Sequence, residues 1–281
     1  MSRSVLRSRA ATIGGALLLL FLLTAAIGPW LTPSNPTEQQ LSLRMKPPSM
    51  SFGESGFHPM GTDQLGRDIF SRVIHGSRIS LLIGFAVVVA GGVVGCAAGI
   101  VAGYYGGWVD RVTMRIVDIY LAFPFILLAL IVMAVLGTSL RNLILVLALT
   151  GWVHYARVIR GETLSLRERE FVVAARVSGA TGRHVLMRHL LPNVNPTLIV
   201  LASLEVGAVI IQEGSLSFLG LGIPPPTPSW GRMLSEGRDY IATAWWLATF
   251  PGLALVLLVL SVNLVGDWLR DELDPRRRGA R

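Results

Sequence analysis

Apolar and polar positions along this chain fall into long blocks rather than short periods. Six runs carry almost no charge: Ala11–Leu31, Ile79–Gly103, Ile116–Leu136, Leu140–Val158, Thr197–Leu221 and Trp245–Trp268. Each approaches or exceeds the ~20 apolar residues needed to cross the hydrocarbon of a bilayer. Lipid offers backbone groups no partners, so such runs are expected to be helices. The pattern predicts an all-α polytopic membrane protein with six transmembrane helices in a single domain over 1–281. Its expected parts are a tail at 1–10, a loop at 32–78, a five-helix core at 79–268 and a second tail at 269–281. The first run follows Arg3, Arg7 and Arg9 and contains Thr24-Ala-Ala26, which also suits a secretory signal. Its continuation to Trp30 favours an uncleaved anchor.

Six crossings put both termini on one side. That side carries 17 Lys and Arg, from the N-terminal tail, the 104–115 and 157–195 loops and the tail from Arg270; the other carries 8. The positive-inside rule then places both termini and the 157–195 loop in the cytoplasm. Trp30, Trp108, Trp245, Trp246 and Trp268 fall near the expected interfaces.

Composition agrees with this picture. Fifty-two per cent of residues are hydrophobic and 15% charged, with a mean hydropathy of +0.58. The net charge of +8 flanks apolar segments and forms no basic–aromatic patch, which argues against nucleic acid as a partner. Lys46 is the sole lysine and follows no glycine-rich turn, so ATP hydrolysis through a P-loop is excluded. The sole cysteine, Cys96, permits no intrachain disulfide and no thiolate metal cluster. The five histidines form no HExxH-type pair, and no nucleophile elbow is visible. No catalytic residue, metal or cofactor is expected in this chain.

Within the runs, Gly91, Gly95, Gly99 and Gly103 recur every four residues and make a small-residue face for close helix contact, in this chain or another. Glu205, Gln212 and Glu213 lie in the fifth run. The two carboxylates, eight residues apart, are expected on roughly one face, either lining a solute path or bonding between helices. Pro224-Pro-Pro-Thr-Pro228 predicts a stiff outer loop, and Pro124 and Pro251 are expected to kink their helices. Gly61–Arg72 reads as an interfacial helix for an outer partner or as a solvated loop.

The 157–195 loop is the most informative segment. Arginines occupy 157, 160, 167, 169, 176, 183 and 188. Glu168, Glu170, Ala174 and Ala175 give a short helical pattern that Gly179 suits as a C-terminal cap. Thr181 caps a second short helix through Gly182–Leu190, which Pro192 is expected to end. Two short helices meeting at a glycine make a compact protrusion able to dock a soluble partner; the alternative is an amphipathic loop resting on anionic lipid.

These residues resemble the EAA loop of binding-protein-dependent ABC importer permeases, with Ala174, Ala175, Gly179, Leu191 and Pro192 in register. Val173 replaces the glutamate of that pattern and His189 a hydrophobe; Glu170, one turn earlier, is a candidate substitute. Gly61-Thr-Asp-Gln-Leu-Gly-Arg-Asp68, Leu121-Ala-Phe-Pro124, Leu216-Ser-Phe-Leu-Gly-Leu-Gly222, Pro228-Ser-Trp-Gly231 and Asn263–Pro275 are similar to the C-type permeases of dipeptide, oligopeptide and nickel importers. The resemblance implies a type I importer fold and a related B-type permease as partner. It also implies two cytoplasmic ATPases that bind the ATP, an external solute-binding protein, surrounding lipid and a peptide cargo. Glu170, Ala174, Ala175, Arg176, Gly179, Ala180, Thr181, His184, Leu191 and Pro192 would then form the ATPase-coupling loop. A stand-alone secondary transporter would need an ion site and usually internal repeats; no repeat is visible, and Glu205 is its only support. An intramembrane enzyme would need an activated nucleophile.

Overall fold

The computed structural model describes residues 9–53 and 56–273. Arg3, Arg7 and the segment 274–281, with its four arginines, lie outside the described residues. Ten α-helices and one hairpin follow in order. Helix α1 is Arg9–Leu31. Strands β1 (Ser49–Gly53) and β2 (Gly56–His58) pair antiparallel. Then come α2 (Ile69–Tyr105), α3 (Gly107–Ala122), α4 (Phe125–Leu136), α5 (Leu140–Arg167), α6 (Glu170–Val177) and α7 (Gly182–Val185). The last three are α8 (Leu191–Phe218), α9 (Trp230–Gly237) and α10 (Trp246–Leu273).

Five helical stretches are long and apolar enough to span a membrane; the sixth candidate is α3 with α4, bent by 91°. That break falls where Pro124 stands, because proline has no N–H and forces the preceding Phe123 out of helical geometry. Three predicted boundaries need correction. Helix α2 starts at Ile69, ten residues before the predicted Ile79, because Asp68 caps it through Ser71 N (2.7 Å). Helix α5 runs to Arg167, past the predicted Val158. Pro192 ends nothing: it occupies the first turn of α8, where a missing N–H is tolerated. A π-helical turn, Leu186–Leu190, carries the helix from α7 into α8.

The glycine ladder lies against α5 of the same chain. A Cβ at Gly95 would meet Tyr155 Cβ at 2.5 Å, one at Gly99 would meet Ala156 O at 2.7 Å, and one at Gly103 would meet Thr163 Cβ at 2.7 Å. Backbones this close gain dispersion contacts and exclude lipid, which is how small residues drive helix association in membranes. Gly91, with Trp152 N at 3.4 Å, closes the row more loosely.

At the opposite end of α2, Gly61–Arg72 is neither an exposed helix nor a solvated loop. Thr62, Asp63, Arg67, Asp68 and Arg72 are all buried. Arg67 binds Asp63 (2.6 Å) and Glu236 of α9 (2.8 Å); Arg72 binds the same two carboxylates. Arg232 adds a third arginine to Glu236 at 2.8 Å. Trp246 donates to Thr62 O and Trp230 to Val73 O, so α2, α9 and α10 are locked together. Burial works to raise the Glu236 carboxyl, but Arg72, Arg232 and Arg67 outweigh it and hold it below the ordinary glutamate range.

Two outcomes follow. Gly95→Ala should lower the melting temperature of the detergent-purified protein, since overpacking costs about 1–3 kcal/mol. Gly161→Ala, with nothing within 4 Å, should leave it unchanged or raised. The lowered carboxyl of Glu236 contributes stability in full above the normal glutamate value of about 4.3, and that contribution disappears as pH falls through the folded value. Thermal stability should therefore drop on acidification below that range. In Glu236→Gln stability should be lower at neutral pH and flatter in acid.

Candidate functional site

The loop between α5 and α8 folds as a hairpin of α6 and α7. The turn between them is a complete Schellman motif: Gly179 N donates to Arg176 O and Ala180 N to Ala175 O, both at 3.0 Å. Gly179 stands at φ +84°, where a Cβ would be strained. Thr181 then caps α7, its hydroxyl accepting from His184 N at 3.4 Å.

Three apolar side chains hold the hairpin to the membrane helices. Val172, Val185 and Leu190 are fully buried in a cluster with Cys96 and Ile100 of α2, Ile159 of α5 and Val194 of α8. Gly182 sits against the rings of Tyr104 and Tyr105. Polar pins reinforce this end. Arg160 forms a two-point ion pair with Asp110 of α3, with Nη2–Oδ2 at 2.6 Å. Arg157 reaches Asp118 (2.7 Å), and Arg167 donates to Gly103 O (3.0 Å). Those three arginines, read from the sequence as part of an outward grip, are therefore engaged inside the chain. Arg169, Arg176, Arg183 and Arg188 remain exposed.

With Val172 turned inward, α6 shows its other face to solvent. Glu170, Val173, Ala174 and Val177 are exposed at i, i+3, i+4 and i+7, one stripe of a helix. Val173 is 42% exposed and Val177 84%. Ala175 turns partly inward and Arg176 outward. On the flank, Phe171, His184 and His189 form a chain of ring contacts at 6.2 and 5.7 Å between centroids. His189, which departs from the family pattern, thus fills an aromatic contact. Leu191 is half-buried and Pro192 exposed.

The hairpin caps two long rods. Helix α5 is 28 residues, and the stretch Gly182–Phe218 is 37; at 1.5 Å per residue they measure about 42 and 55 Å.

The sequence placed the two carboxylates of α8 on roughly one face, and the structure separates them. Eight residues leave an offset of about 80°, and packing uses that difference. Glu213 is 1% exposed, accepts from Ser217 Oγ (2.7 Å) and lies under α9, where Gly231 abuts Gly214. Glu205 and Gln212 instead line a small cavity beside the α3–α4 break. A separate apolar groove of about 560 Å³ runs between α2 and α8, past Val93, Ile100, Met187 and Leu198.

Residues 95–279 match the family described as binding-protein-dependent transport system inner membrane component. Residues 1–48 match the N-terminal TM domain of oligopeptide transport permease C. Over 272 residues the chain is 41% identical to the dipeptide transport system permease protein DppC of Alkalihalophilus pseudofirmus, covering 97% of this chain and 88% of that one. Over 274 residues it is 42% identical to the glutathione transport system permease protein GsiD of Pectobacterium atrosepticum, covering 98% and 89%. A structure of the MetNI methionine ABC transporter in an inward-facing conformation superposes with a TM-score of 0.58 at 21% identity, over 72% of this chain and 96% of that chain. That likeness concerns the fold.

Gly179→Ala should cost about 1–2 kcal/mol of local stability through its left-handed φ. Limited proteolysis of the purified protein should show faster cutting between α6 and α7, with the global melting temperature unchanged. Equal cutting of variant and parent would show that the turn adapts freely.

Proposed function

We propose a function from one premise: this chain belongs to the family of binding-protein-dependent transport system inner membrane components. It is a polytopic, all-α permease subunit, and its relatives are transport permeases rather than enzymes. The finer reading is that it forms half of a peptide-translocating pathway in a prokaryotic inner membrane, with both termini cytoplasmic. A related permease subunit supplies the other half, two cytoplasmic ATPases drive it, and an external binding protein delivers the cargo. The peptide class is supported by relatives whose names specify dipeptide transport.

The observation that carries the coupling role is the outward stripe Glu170–Val173–Ala174–Val177 on a helix whose opposite side is anchored by Val172. A soluble chain rarely spends three apolar positions of one short helix on solvent unless something covers them. A partner seated on this stripe pulls on α5 and α8 together, because the hairpin is their only direct connection in sequence. Nucleotide biases the pathway only if the ATPase holds this stripe differently in its two states. In this reading Glu170 serves as the acidic contact that Val173 cannot provide. The exposed Arg169, Arg176, Arg183 and Arg188 favour an acidic rim on the ATPase or anionic lipid beside it. Apolar surface that one copy leaves open, including the α2–α8 groove, is available to the second permease and to lipid.

In proteoliposomes holding the whole transporter, Gly179→Val should abolish ATP-dependent peptide uptake while the chain still inserts. Glu170→Ala should lower uptake and its coupling to ATP hydrolysis. A cysteine at Val177 should crosslink to an ATPase subunit. Normal uptake by Gly179→Val, or a Val177 label that reacts only from outside sealed cells, would contradict the assignment.

A further inference from the structure

Where α3 breaks from α4, a cavity of about 90 Å³ lies between the break, α5 and α8. Glu205 and Gln212 reach it from α8, and His154 and Thr150 from α5. Glu205 and His154 each stand near the middle of a 28-residue helix and inside the apolar runs Thr197–Leu221 and Leu140–Val158, so both belong to the membrane-spanning stretches. The Thr150 hydroxyl is already donated to Val146 and Leu147 carbonyls. Among the described residues, the Glu205 carboxylate has neither an ion pair nor a hydrogen bond, and His154 acts on it only through space. An ionisable group in that position marks a solute or ion path unless something neutralises it.

The surroundings specify the kind of guest. Exposed Phe123 forms part of the rim, so the cavity opens where this chain has no cover of its own. The C-terminal end of α3, the negative pole of a helix, lines the same cavity through Tyr120 and Leu121. Broken helices in membrane transporters use such ends to hold charged solute groups. Size narrows the choice. A water needs about 10–15 Å³ of free space, so 90 Å³ holds a few waters or an ammonium group with its first carbon, and not an entire peptide.

We propose that this cavity is a station for the protonated amino group of the peptide in transit, with Glu205 as its counter-ion, Gln212 as a further acceptor and the C-terminal pole of α3 beside them. The proposal rests on the peptide-import reading above. It gives Glu205 a cargo contact, whereas Glu213 stays a packing group beneath α9.

The test uses the intact nucleotide-free transporter in detergent and a hydrophobic carbodiimide, with modification at residue 205 measured by mass spectrometry. Glu205 should be modified in the absence of peptide. Dialanine at ten times its half-protecting concentration should lower modification about tenfold by mass action. N-acetyl-dialanine at that concentration should lower it less than about twofold. Glu205→Gln should show no modification, and Glu205→Asp should be modified and protected in the same order. Absence of labelling in the parent complex would mean that a cation of the partner permease fills the site, and would overturn the proposal. Equal protection by the two peptides, no protection by dialanine, or protection by sodium chloride at matched concentration would overturn it too. Uptake of dialanine is measured separately: selective protection without ATP-dependent uptake would sink the import reading and leave the cavity assignment standing.

Discussion

The close approach of α2 and α5 is the constraint on which the rest of this structure depends. Three glycines allow no side chain between the two backbones, so the helices act as one beam over several turns. In hydrocarbon there is no hydrophobic effect to hold two apolar helices together, since lipid tails are as apolar as leucine. Contact area and dispersion must do it, and a missing Cβ is the simplest way to gain both. Once α2 and α5 are joined, the α6–α7 hairpin inherits a firm base. Val172, Val185 and Leu190 insert beside Cys96 and Ile100 on the one helix and Ile159 on the other.

Charge is distributed so as to lock both ends of that beam. On one side, Asp63 and Glu236 are shared among three arginines, tying α2 to α9, while Trp246 brings in α10. Buried ion pairs return little net stability because desolvation consumes most of the attraction. Their strict geometry, and the expense of leaving one partner alone, make them better at specifying a position than at adding stability. On the other side, Arg157, Arg160 and Arg167 pin α3 and the end of α2 to α5. Between these locked ends lie the break at Pro124 and the cavity beside Glu205.

This arrangement accounts for the division of labour along the chain. The hairpin is anchored on one face and open on the other, and it joins α5 to α8 in sequence. Those helices carry His154 on one side of the cavity beside the α3–α4 break and Glu205 with Gln212 on the other.

Much of this was legible in the sequence. Uncharged runs announce spans because hydrocarbon imposes one length and one backbone solution on any chain that crosses it. Caps announce themselves because Gly179 and Thr181 act on backbone groups within a few residues, and the structure has both as read. Pro124 broke its span for the same local reason. Other features escaped because their partners are distant in sequence. Arg67 and Arg72 meet Glu236 only after α9 folds back over α2, so a buried lock resembled a solvated loop. Pro192 resembled a stop because nothing nearby discloses that a π-helical turn will carry the helix past it. The two glutamates of α8 were parted by about 80° of rotation, a difference without consequence until α9 covers one of them and the α3–α4 break opens beside the other. What the chain alone determined was what a uniform solvent and near neighbours dictate. What the tertiary structure decided was which polar groups find partners, since that depends on contacts across more than a hundred residues.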